Sequence, residues 1–291
     1  MRLAIAGDLH GQWDSSDQLL LERLAPDALL VVGDLSDGNP RIASQLRQLE
    51  QALDLPVACV LGNHDSGRDP TGRTLRRQLD TLGPLHCGWG LRQLAGLSVV
   101  GARPGSAGGG FHLSPAARAA LGPHSLEESA ARITAAAAAA DPALPLVLLA
   151  HCGPAGLGSE AADPCGRDWK PPACDWGDQD LSLAIDHIRR QRSLPLVVFG
   201  HMHHRLKRGR GERRTFAVDR SGTAYLNAAC VPRHLVDTAG VALRHFSWVE
   251  FDGARLHLAA HRWYGLDGRL HYEERLDQPA PQPAGLLSVP C

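Results

Sequence analysis

Short apolar runs alternate with amphipathic stretches along the N-terminal two-thirds of the chain. Runs of Val, Ile and Leu without polar interruption are typical of strands that are buried on both faces. They predict strands at residues 3–6, 29–32, 57–61, 97–100, 146–150 and 196–199. Several of these runs end in Gly, Asp, His or Asn, which favour a turn at that point. The alternation therefore predicts an α/β fold.

The amphipathic stretches between these runs are predicted to be helices. After Thr71, apolar residues at helical spacing place Leu75, Leu79 and Leu82 on one face, and Gly83 predicts the end of the helix. A second stretch at residues 181–188 has the same spacing. Helices at these positions would connect successive strands of the sheet.

The pattern changes to period two beyond residue 203. Alternation at residues 214–218, 223–227, 245–251 and 255–263 predicts antiparallel strands joined as a meander. Together with the N-terminal βα units, these strands are expected to form two stacked sheets with helices outside. We predict one domain over residues 1–277 and a mobile, Pro-containing tail over residues 278–291. Residues 103–124, rich in Gly, Pro and Ser, are predicted to form an exposed loop, and residues 152–180 are a second candidate insert or lid.

The charge of the chain limits which partners a global field can attract. Among 291 residues, 30 Lys and Arg balance 31 Asp and Glu, which gives a formal net charge of −1. We therefore do not expect nucleic acid or an anionic membrane as a partner. The first residues lack a secretory signal pattern, and Asp141, Pro142 and Pro145 interrupt the most apolar tract. These features predict a cytoplasmic protein without a membrane-spanning helix.

The seven cysteines are scattered and form no CxxC pair. Buried thiols are the simplest interpretation. Cys165 and Cys174 bracket a loop rich in Pro and Trp, and either a disulfide or a metal site remains open for this pair.

Five polar clusters stand at or just after predicted strand ends. In an open α/β sheet such positions converge on one crevice, even when they are far apart in sequence. The clusters read Gly7-Asp8-Leu9-His10, Gly33-Asp34, Gly62-Asn63-His64-Asp65, His151 and Gly200-His201-Met202-His203.

Apart from His64 and Asp65, the clusters provide two carboxylates, one amide oxygen and four imidazoles. Such a mixed donor set favours Zn, Mn, Fe, Co or Ni over Mg or Ca. Seven donors exceed one tetrahedral site, but they suffice for two divalent ions if one carboxylate bridges them. Each Asp taken alone is equally compatible with a helix cap or a turn.

The ordered set DxH, GD, GNHD, H and GHMH over residues 8–203 resembles the calcineurin-like metallophosphoesterase superfamily. The resemblance implies a four-layer α/β/β/α sandwich of two mixed β-sheets flanked by helices. It also implies two metal sites that share Asp34. One is formed by Asp8, His10, Asp34 and His203, and the other by Asp34, Asn63, His151 and His201.

The resemblance further implies the chemistry of this centre. A water or hydroxide held between two divalent ions would attack the phosphorus of a phosphate ester. His64 would stabilise charge on the phosphoryl group or protonate the leaving oxygen, and Asp65 would orient His64. These two residues are the predicted catalytic residues.

Differences between subfamilies narrow the expected function. The segment from Gly33 to Gly38 lacks the arginine typical of protein Ser/Thr phosphatases, and Asp37 stands where purple acid phosphatases have a metal-bound tyrosine. The GNHD and GHMH blocks are more similar to the phosphodiesterase-like branch. We expect hydrolysis of a small phosphomonoester, phosphodiester or nucleotide pyrophosphate. A nuclease of the same superfamily and a metal-binding interaction scaffold remain the alternatives.

Substrate-binding residues are harder to predict, because they lie in loops rather than in motifs. In the segment 152–180, Trp169 is a candidate for stacking on a base or sugar, unless the loop simply packs on itself. Arg208 lies in the basic run 205–214, which would bind an anionic substrate or form a solvated hairpin tip. Arg68, Arg233 and His234 are candidates only because they are adjacent to motifs or strand ends.

Overall fold

The computed structural model describes residues 1–94, 96–208 and 211–276, and within them it contains two β-sheets. The first sheet has the strand order β13-β12-β11-β1-β2-β3, and β10 pairs with β11. Its strands are β1 (Arg2–Ala6), β2 (Ala28–Val31), β3 (Val57–Cys59), β10 (His234–Val236), β11 (Ala242–Asp252), β12 (Arg255–Gly265) and β13 (Leu270–Arg275). Strands β1, β2 and β3 are parallel to one another, and β11 is antiparallel to β1. The sheet is therefore mixed.

The second sheet has the strand order β4-β5-β6-β7-β9-β8. Its strands are β4 (Leu91–Leu94), β5 (Leu97–Gly101), β6 (Leu146–Cys152), β7 (Leu196–Gly200), β8 (Phe216–Val218) and β9 (Ala224–Asn227). Strands β5, β6, β7 and β9 run parallel, whereas β4 and β8 form antiparallel edges. This sheet is also mixed.

Helices flank both sheets. They are α1 (Ser15–Leu24), α2 (Arg41–Leu53), α3 (Arg73–Leu82), α4 (Pro115–Leu121), α5 (Leu126–Ala138) and α6 (Gln179–Arg189), with short 3-10 helices at His64–Ser66 and Gly83–Leu85. Helix α3 ends at Gly83, as its pattern predicts.

The core consists of apolar layers on the two faces of each sheet. Leu3 and Ile5 of β1 lie between the sheets, in one cluster with Val147 of β6 and Val198 of β7. The alternate residues of β1 face outward into a cluster with residues of α1, α2 and α3. Helices α5 and α6 cover the outer face of the second sheet. The predicted four-layer α/β/β/α sandwich is thus confirmed.

The C-terminal strands depart from the predicted meander. Residues 223–227 were expected to form an antiparallel strand beside residues 214–218, but β9 is also parallel to β7, so β8 and β9 extend the second sheet. Strands β11, β12 and β13 join the first sheet as an antiparallel ribbon. A period-two pattern identifies a half-buried strand but does not identify its neighbour, which explains the difference.

The segment 103–124 is not the exposed loop that its composition predicts. Arg103 is 1% exposed and pairs with Asp178 at 2.6 Å and with Asp180 at 3.0 Å. Ser106 also donates to Asp178 at 2.7 Å, and residues 115–121 form α4. A buried ion pair of this kind anchors the segment to the start of α6, because an unpaired buried guanidinium would be costly.

The remaining expectations concern the cysteine pair, the C-terminal tail, the extent of the domain, membrane-spanning helices and the location of the protein. Cys165 and Cys174 are free thiols, so no disulfide joins them. The predicted tail at 278–291 lies outside the described residues, and the extent of the domain stays a prediction. Within the described part of the chain, no helix is long and apolar enough to cross a membrane. The cytoplasmic location also stays a prediction.

Three histidines, His204, His245 and His261, pack together in the interior, with ring centroids 4.6 to 6.0 Å apart. His261 is satisfied by the Ser247 and Thr215 hydroxyls at 2.9 Å each. The Nε2 atom of His245 has no hydrogen-bond partner among the described residues. Burial, reinforced by the neighbouring imidazoles, lowers the pKa of His245 and of His261 well below 6.5.

These lowered pKa values predict acid sensitivity. The folded state keeps both rings neutral, whereas the unfolded chain takes up protons once the pH falls below about 6.5. Each ring should therefore reduce the free energy of unfolding by about 1.4 kcal/mol per pH unit below that point. The free energy of unfolding can be measured by urea denaturation at several pH values between 8 and 5. Below about pH 6.5, its slope against pH should be smaller in His245→Phe than in the wild type by about 1.4 kcal/mol per pH unit. Equal slopes would show that His245 titrates normally in the fold.

Candidate metal centre

The predicted ligands converge at the carboxyl ends of the parallel strands of both sheets. Asp8, Asp34 and Asn63 follow β1, β2 and β3, whereas His151 lies at the end of β6 and His201 directly after β7. Parallel strands direct their carboxyl ends to the same edge of a sheet. The stacking of the two sheets then brings the two edges together.

The backbone is strained at these positions. Asp8, His10, Asp34 and His201 have φ angles of 46°, 42°, 50° and 67°, in the left-handed region that residues other than glycine rarely adopt. Such conformations cost free energy and persist only where the surrounding structure enforces them. Their concentration at four predicted ligands indicates a functional constraint, and this indication is independent of the sequence motif.

The first group of ligands consists of Asp8, His10 and His203, whose ligand atoms all lie within 4.8 Å of one another. The Nε2 atoms of the two histidines are 3.4 Å apart, and Nε2 of His203 is 3.7 Å from Oδ1 of Asp8. The fully buried Asp8 carboxylate accepts hydrogen bonds from the backbone N–H of His201, which fixes its orientation.

The second group consists of Asp34, His151 and His201, also within 4.8 Å of one another. Nε2 of His151 lies 3.4 Å from Oδ2 of Asp34 and 3.0 Å from Oδ1 of Asn63, so the amide of Asn63 joins this group. Nδ1 of His151 lies 2.7 Å from the carbonyl oxygen of Val32. A proton on Nδ1 that is donated to this carbonyl leaves the Nε2 lone pair available for a metal, which is the usual arrangement of a ligating histidine.

Asp34 lies between the two groups. Its Oδ2 atom is 3.4 Å from Nε2 of His151 in the second group and 3.8 Å from Nε2 of His10 in the first. The other oxygen, Oδ1, accepts a hydrogen bond of 2.8 Å from the backbone N–H of His64. The structure thus gives Asp34 the central position that a bridging carboxylate requires.

The electrostatics of the centre fit a cation. Burial lowers the pKa of His201 to about 3 and that of His203 to about 4, and neighbouring imidazoles reinforce both shifts. Both rings are therefore neutral near pH 7, which is the form that binds metals. Burial raises the pKa of Asp8 to about 7, and the Asp34 carboxylate contributes to this shift. Burial acts to lower the pKa of His151, but the Asp34 carboxylate outweighs this effect and raises that pKa to about 10. Two buried carboxylates beside the neutral rings of His201 and His203 form a donor set that a divalent ion would stabilise.

Two glycines of the motifs keep space for the ligands. A Cβ atom at Gly62 would clash with Oδ1 of Asp34 and with the ring of His151, and one at Gly200 would clash with Oδ2 of Asp8. Neither glycine has a positive φ. Glycine is therefore required here because a side chain would not fit beside the predicted ligand. The sharp turn that the sequence pattern favours is not the reason.

His64 lies beside the centre rather than in either group of ligands that surrounds Asp34. Its side chain is 52% exposed and lines the cleft above the ligands, and Nδ1 is 3.2 Å from Oδ1 of Asp37. Asp65, which was expected to orient His64, instead accepts hydrogen bonds from the backbone N–H groups of Leu35 at 2.7 Å and Gly62 at 2.8 Å. Asp65 thus joins the two loops that carry Asp34 and Asn63, and Asp37 is the acid that faces the His64 ring.

A cleft of about 360 Å³ opens over the ligands. Its lining includes predicted metal ligands and side chains of neighbouring loops. The lining consists of Asp34, His64, Ala107, Asp168, Trp169, Trp176, His201, Met202, His203, Arg205, Lys207 and Arg213. The segment 152–180 therefore forms part of the cleft wall, as the lid hypothesis requires.

Only one of the predicted substrate-binding residues lines this cleft. Trp169 does so, with its ring centroid 6.5 Å from that of His201. Arg208 and Arg68 are exposed and do not contribute to the described lining. Arg205 and Lys207 line the cleft instead. The sequence contained no signal that separates this pair from Arg208, because a loop has no periodicity that records the direction of its side chains.

Arg233 and His234 are engaged within the fold. Arg233 is 1% exposed, donates to Asp17 at 2.7 Å and lies between the rings of Trp13 and Phe246. His234 pairs with the same Asp17 carboxylate at 3.0 Å. The expectation that both bind substrate is therefore corrected, since both side chains pair with the buried Asp17 carboxylate.

The sequence matches a known protein family. A family model described as calcineurin-like phosphoesterase matches residues 1–205. A search of curated protein sequences finds none that matches the chain.

Solved structures share the fold at low sequence identity. The protein TT1561 of Thermus thermophilus aligns with a TM-score of 0.55 at 13% identity, covering 91% of this chain and 98% of that one. A dimetal phosphatase from Danio rerio aligns with a TM-score of 0.53 at 12% identity, covering 95% of this chain and 98% of its own. At such identities the likeness establishes the architecture, and function has to be inferred from the site.

Proposed function

The chain belongs to the calcineurin-like phosphoesterase family, and from this premise we propose that it hydrolyses a small phosphate ester with the help of two divalent metal ions. One observation carries the proposal. Donor atoms from five separate segments, each at or just after the end of a strand, converge on two adjacent groups, and the Asp34 carboxylate lies between them. A purely structural site would not need four imidazoles gathered around a central, buried carboxylate.

The residues that would hold the metals are those that the sequence motifs name. The first site would be formed by Asp8, His10, Asp34 and His203, and the second by Asp34, Asn63, His151 and His201. When bound, such ions polarise phosphoryl oxygens and lower the pKa of water toward neutrality. Zn, Mn, Fe, Co and Ni all suit this mixture of imidazole, carboxylate and amide donors.

His64 is the residue that we assign to proton transfer. Its ring lines the cleft next to Asp34 and remains half exposed, so it is accessible to a substrate. Nδ1 contacts Asp37, whereas Nε2 has no hydrogen-bond partner among the described residues. From that position, the imidazole can donate a proton to the leaving oxygen or a hydrogen bond to a phosphoryl oxygen. Asp37 faces the ring at Nδ1, and Asp65 joins the two loops that carry Asp34 and Asn63.

The size of the cleft favours a small molecule over a polynucleotide. A volume of about 360 Å³ lies at the lower end of the range for small-molecule sites, and the neutral net charge of the chain adds no long-range attraction for nucleic acid. The GNHD and GHMH blocks support a place in the phosphodiesterase-like branch. Phosphomonoesters, phosphodiesters and nucleotide pyrophosphates are the substrate classes that we propose.

Metal removal and reloading test this proposal. The Mn-loaded protein should contain about two ions per chain and hydrolyse a simple aryl phosphate ester, since each ion stabilises charge on the phosphoryl group. Dialysis against a chelator should abolish turnover, and Mn should restore it. Elemental analysis and a colorimetric assay measure both quantities. Two bound ions without turnover of any ester would indicate the interaction scaffold, and metal-dependent cleavage of plasmid DNA would indicate the nuclease.

A further inference from the structure

The lining of the cleft has an aromatic part. Trp169 and Trp176 contact each other edge to face, with ring centroids 5.3 Å apart. Trp176 is fixed by its neighbours, because its indole N–H donates to the carbonyl of Ala107 at 2.9 Å and the guanidinium of Arg167 lies 4.9 Å over its ring. Trp169 packs on this fixed ring, and its indole N–H has no hydrogen-bond partner among the described residues. It is therefore the ring that can receive a flat group of a ligand.

The same cleft has a cationic part. Arg205 and Lys207 are exposed side chains that line it, and within the described ranges neither forms an ion pair with an acidic residue. Arg213 also lines the cleft, but it is buried, pairs with Asp168 at 3.3 Å and donates to backbone carbonyls. The charge of Arg213 is therefore engaged in interactions within the fold. The charges of Arg205 and Lys207 are available to an anionic ligand.

Asp168 joins the aromatic and cationic parts. It is 9% exposed, precedes Trp169 in the chain, pairs with Arg213 and accepts a hydrogen bond from the backbone N–H of Lys207. The loop that carries Trp169 and the segment that carries Lys207 are thus held at a fixed separation. Such preorganisation lowers the entropic cost of binding a ligand that contacts both parts at once.

We propose that the substrate is a nucleoside diphosphate derivative, and this inference rests on the proposed function. Its base stacks on Trp169, one phosphate lies at the metal centre, and the second phosphate is bound by Lys207 and Arg205. One water molecule is consumed, and the P–O bond of the phosphoanhydride breaks. The products are a nucleoside monophosphate and a second phosphate monoester, which share the two protons of the water. A simple phosphomonoester would leave both Trp169 and the two cations without a ligand group.

The test compares two substrates of the metal-loaded enzyme that share a base. An adenosine diphosphate sugar has a second phosphate, whereas the p-nitrophenyl ester of adenosine monophosphate has only the scissile one. Lys207→Gln should raise KM for the diphosphate about 10- to 100-fold, the value of a charge-assisted contact to phosphate. It should leave KM for the p-nitrophenyl ester within about twofold, because that ester has no group for Lys207 to bind.

Matched variants separate binding from general effects of charge and folding. Arg208→Gln makes the same charge change in the same segment outside the cleft lining, and should leave both KM values unchanged. Trp169→Ala should raise KM for both nucleotides about 5- to 100-fold, as loss of a stacking contact does. Trp169→Phe, which retains an aromatic face, should restore most of the affinity.

The outcomes distinguish this inference from the proposed function. If wild type and variants all turn over p-nitrophenyl phosphate but Lys207→Gln affects both nucleotides equally, or neither, the assignment of a second phosphate is wrong. If Trp169→Ala leaves both KM values unchanged, no base stacks there and the nucleotide assignment fails. If the wild type hydrolyses no phosphate ester at all, the proposed function itself fails.

Discussion

Replacing Asp34 by Asn is expected to abolish activity and to remove more metal than any other single substitution. Asp34 is the carboxylate between the two ligand groups, so its neutralisation weakens both sites at once. Loss of even an outer-shell partner costs about 10- to 100-fold in metal affinity or activity, and loss of a shared ligand should exceed that range. Elemental analysis after Mn loading should fall from about two ions per chain to fewer than one.

Asp37→Asn is the matched control for this experiment. Asp37 lies in the same loop, undergoes the same change of charge and is 70% exposed. It also forms a group of possible ligands with His10 and His64. If the centre is built around Asp34, Asp37→Asn should keep both ions. Retention of both ions by Asp34→Asn, or their loss from Asp37→Asn alone, would contradict the proposed arrangement of ligands.

Replacing His64 by Gln is expected to lower kcat about 10²- to 10⁴-fold, the usual range for a positioned acid or base, while both ions stay bound. The ring lines the cleft and belongs neither to the group of Asp8, His10 and His203 nor to that of Asp34, His151 and His201, so its loss should affect the reaction rather than metal assembly. KM should change little, since the metal centre still holds the phosphoryl group. Steady-state kinetics and metal analysis of the same preparation test both statements.

The leaving group distinguishes the two roles of His64. If the ring protonates the leaving oxygen, the loss should be large for an alkyl ester and small for a nitrophenyl ester, whose leaving group needs less protonation. If it stabilises charge on the phosphoryl oxygens, the loss should be similar for both esters. Loss of a metal ion from the variant would make His64 a ligand, and full activity on both esters would make it a structural histidine.

The sequence by itself determined the positions of the buried strands and which polar residues follow them. Uninterrupted apolar runs mark strands buried between two layers, and the residues that follow such runs must lie at one edge of a parallel sheet. Asp8, Asp34, Asn63, His151 and His201 therefore converge for a reason that is local to each strand. Each of these residues lies at or directly after the end of a buried strand, and the strand therefore fixes its position.

Only the tertiary structure decided which neighbours the remaining residues have. Strand β9 is parallel to β7, and Asp37 rather than Asp65 faces His64. The sequence did not show either feature, because strand partners and loop contacts depend on the packing of the folded chain. Lys207 lines the cleft and Arg208 does not, since the side on which a loop side chain points follows from the packing of the whole segment. Polar residues outside regular strands have no periodicity that records their direction, and only the folded chain defines it.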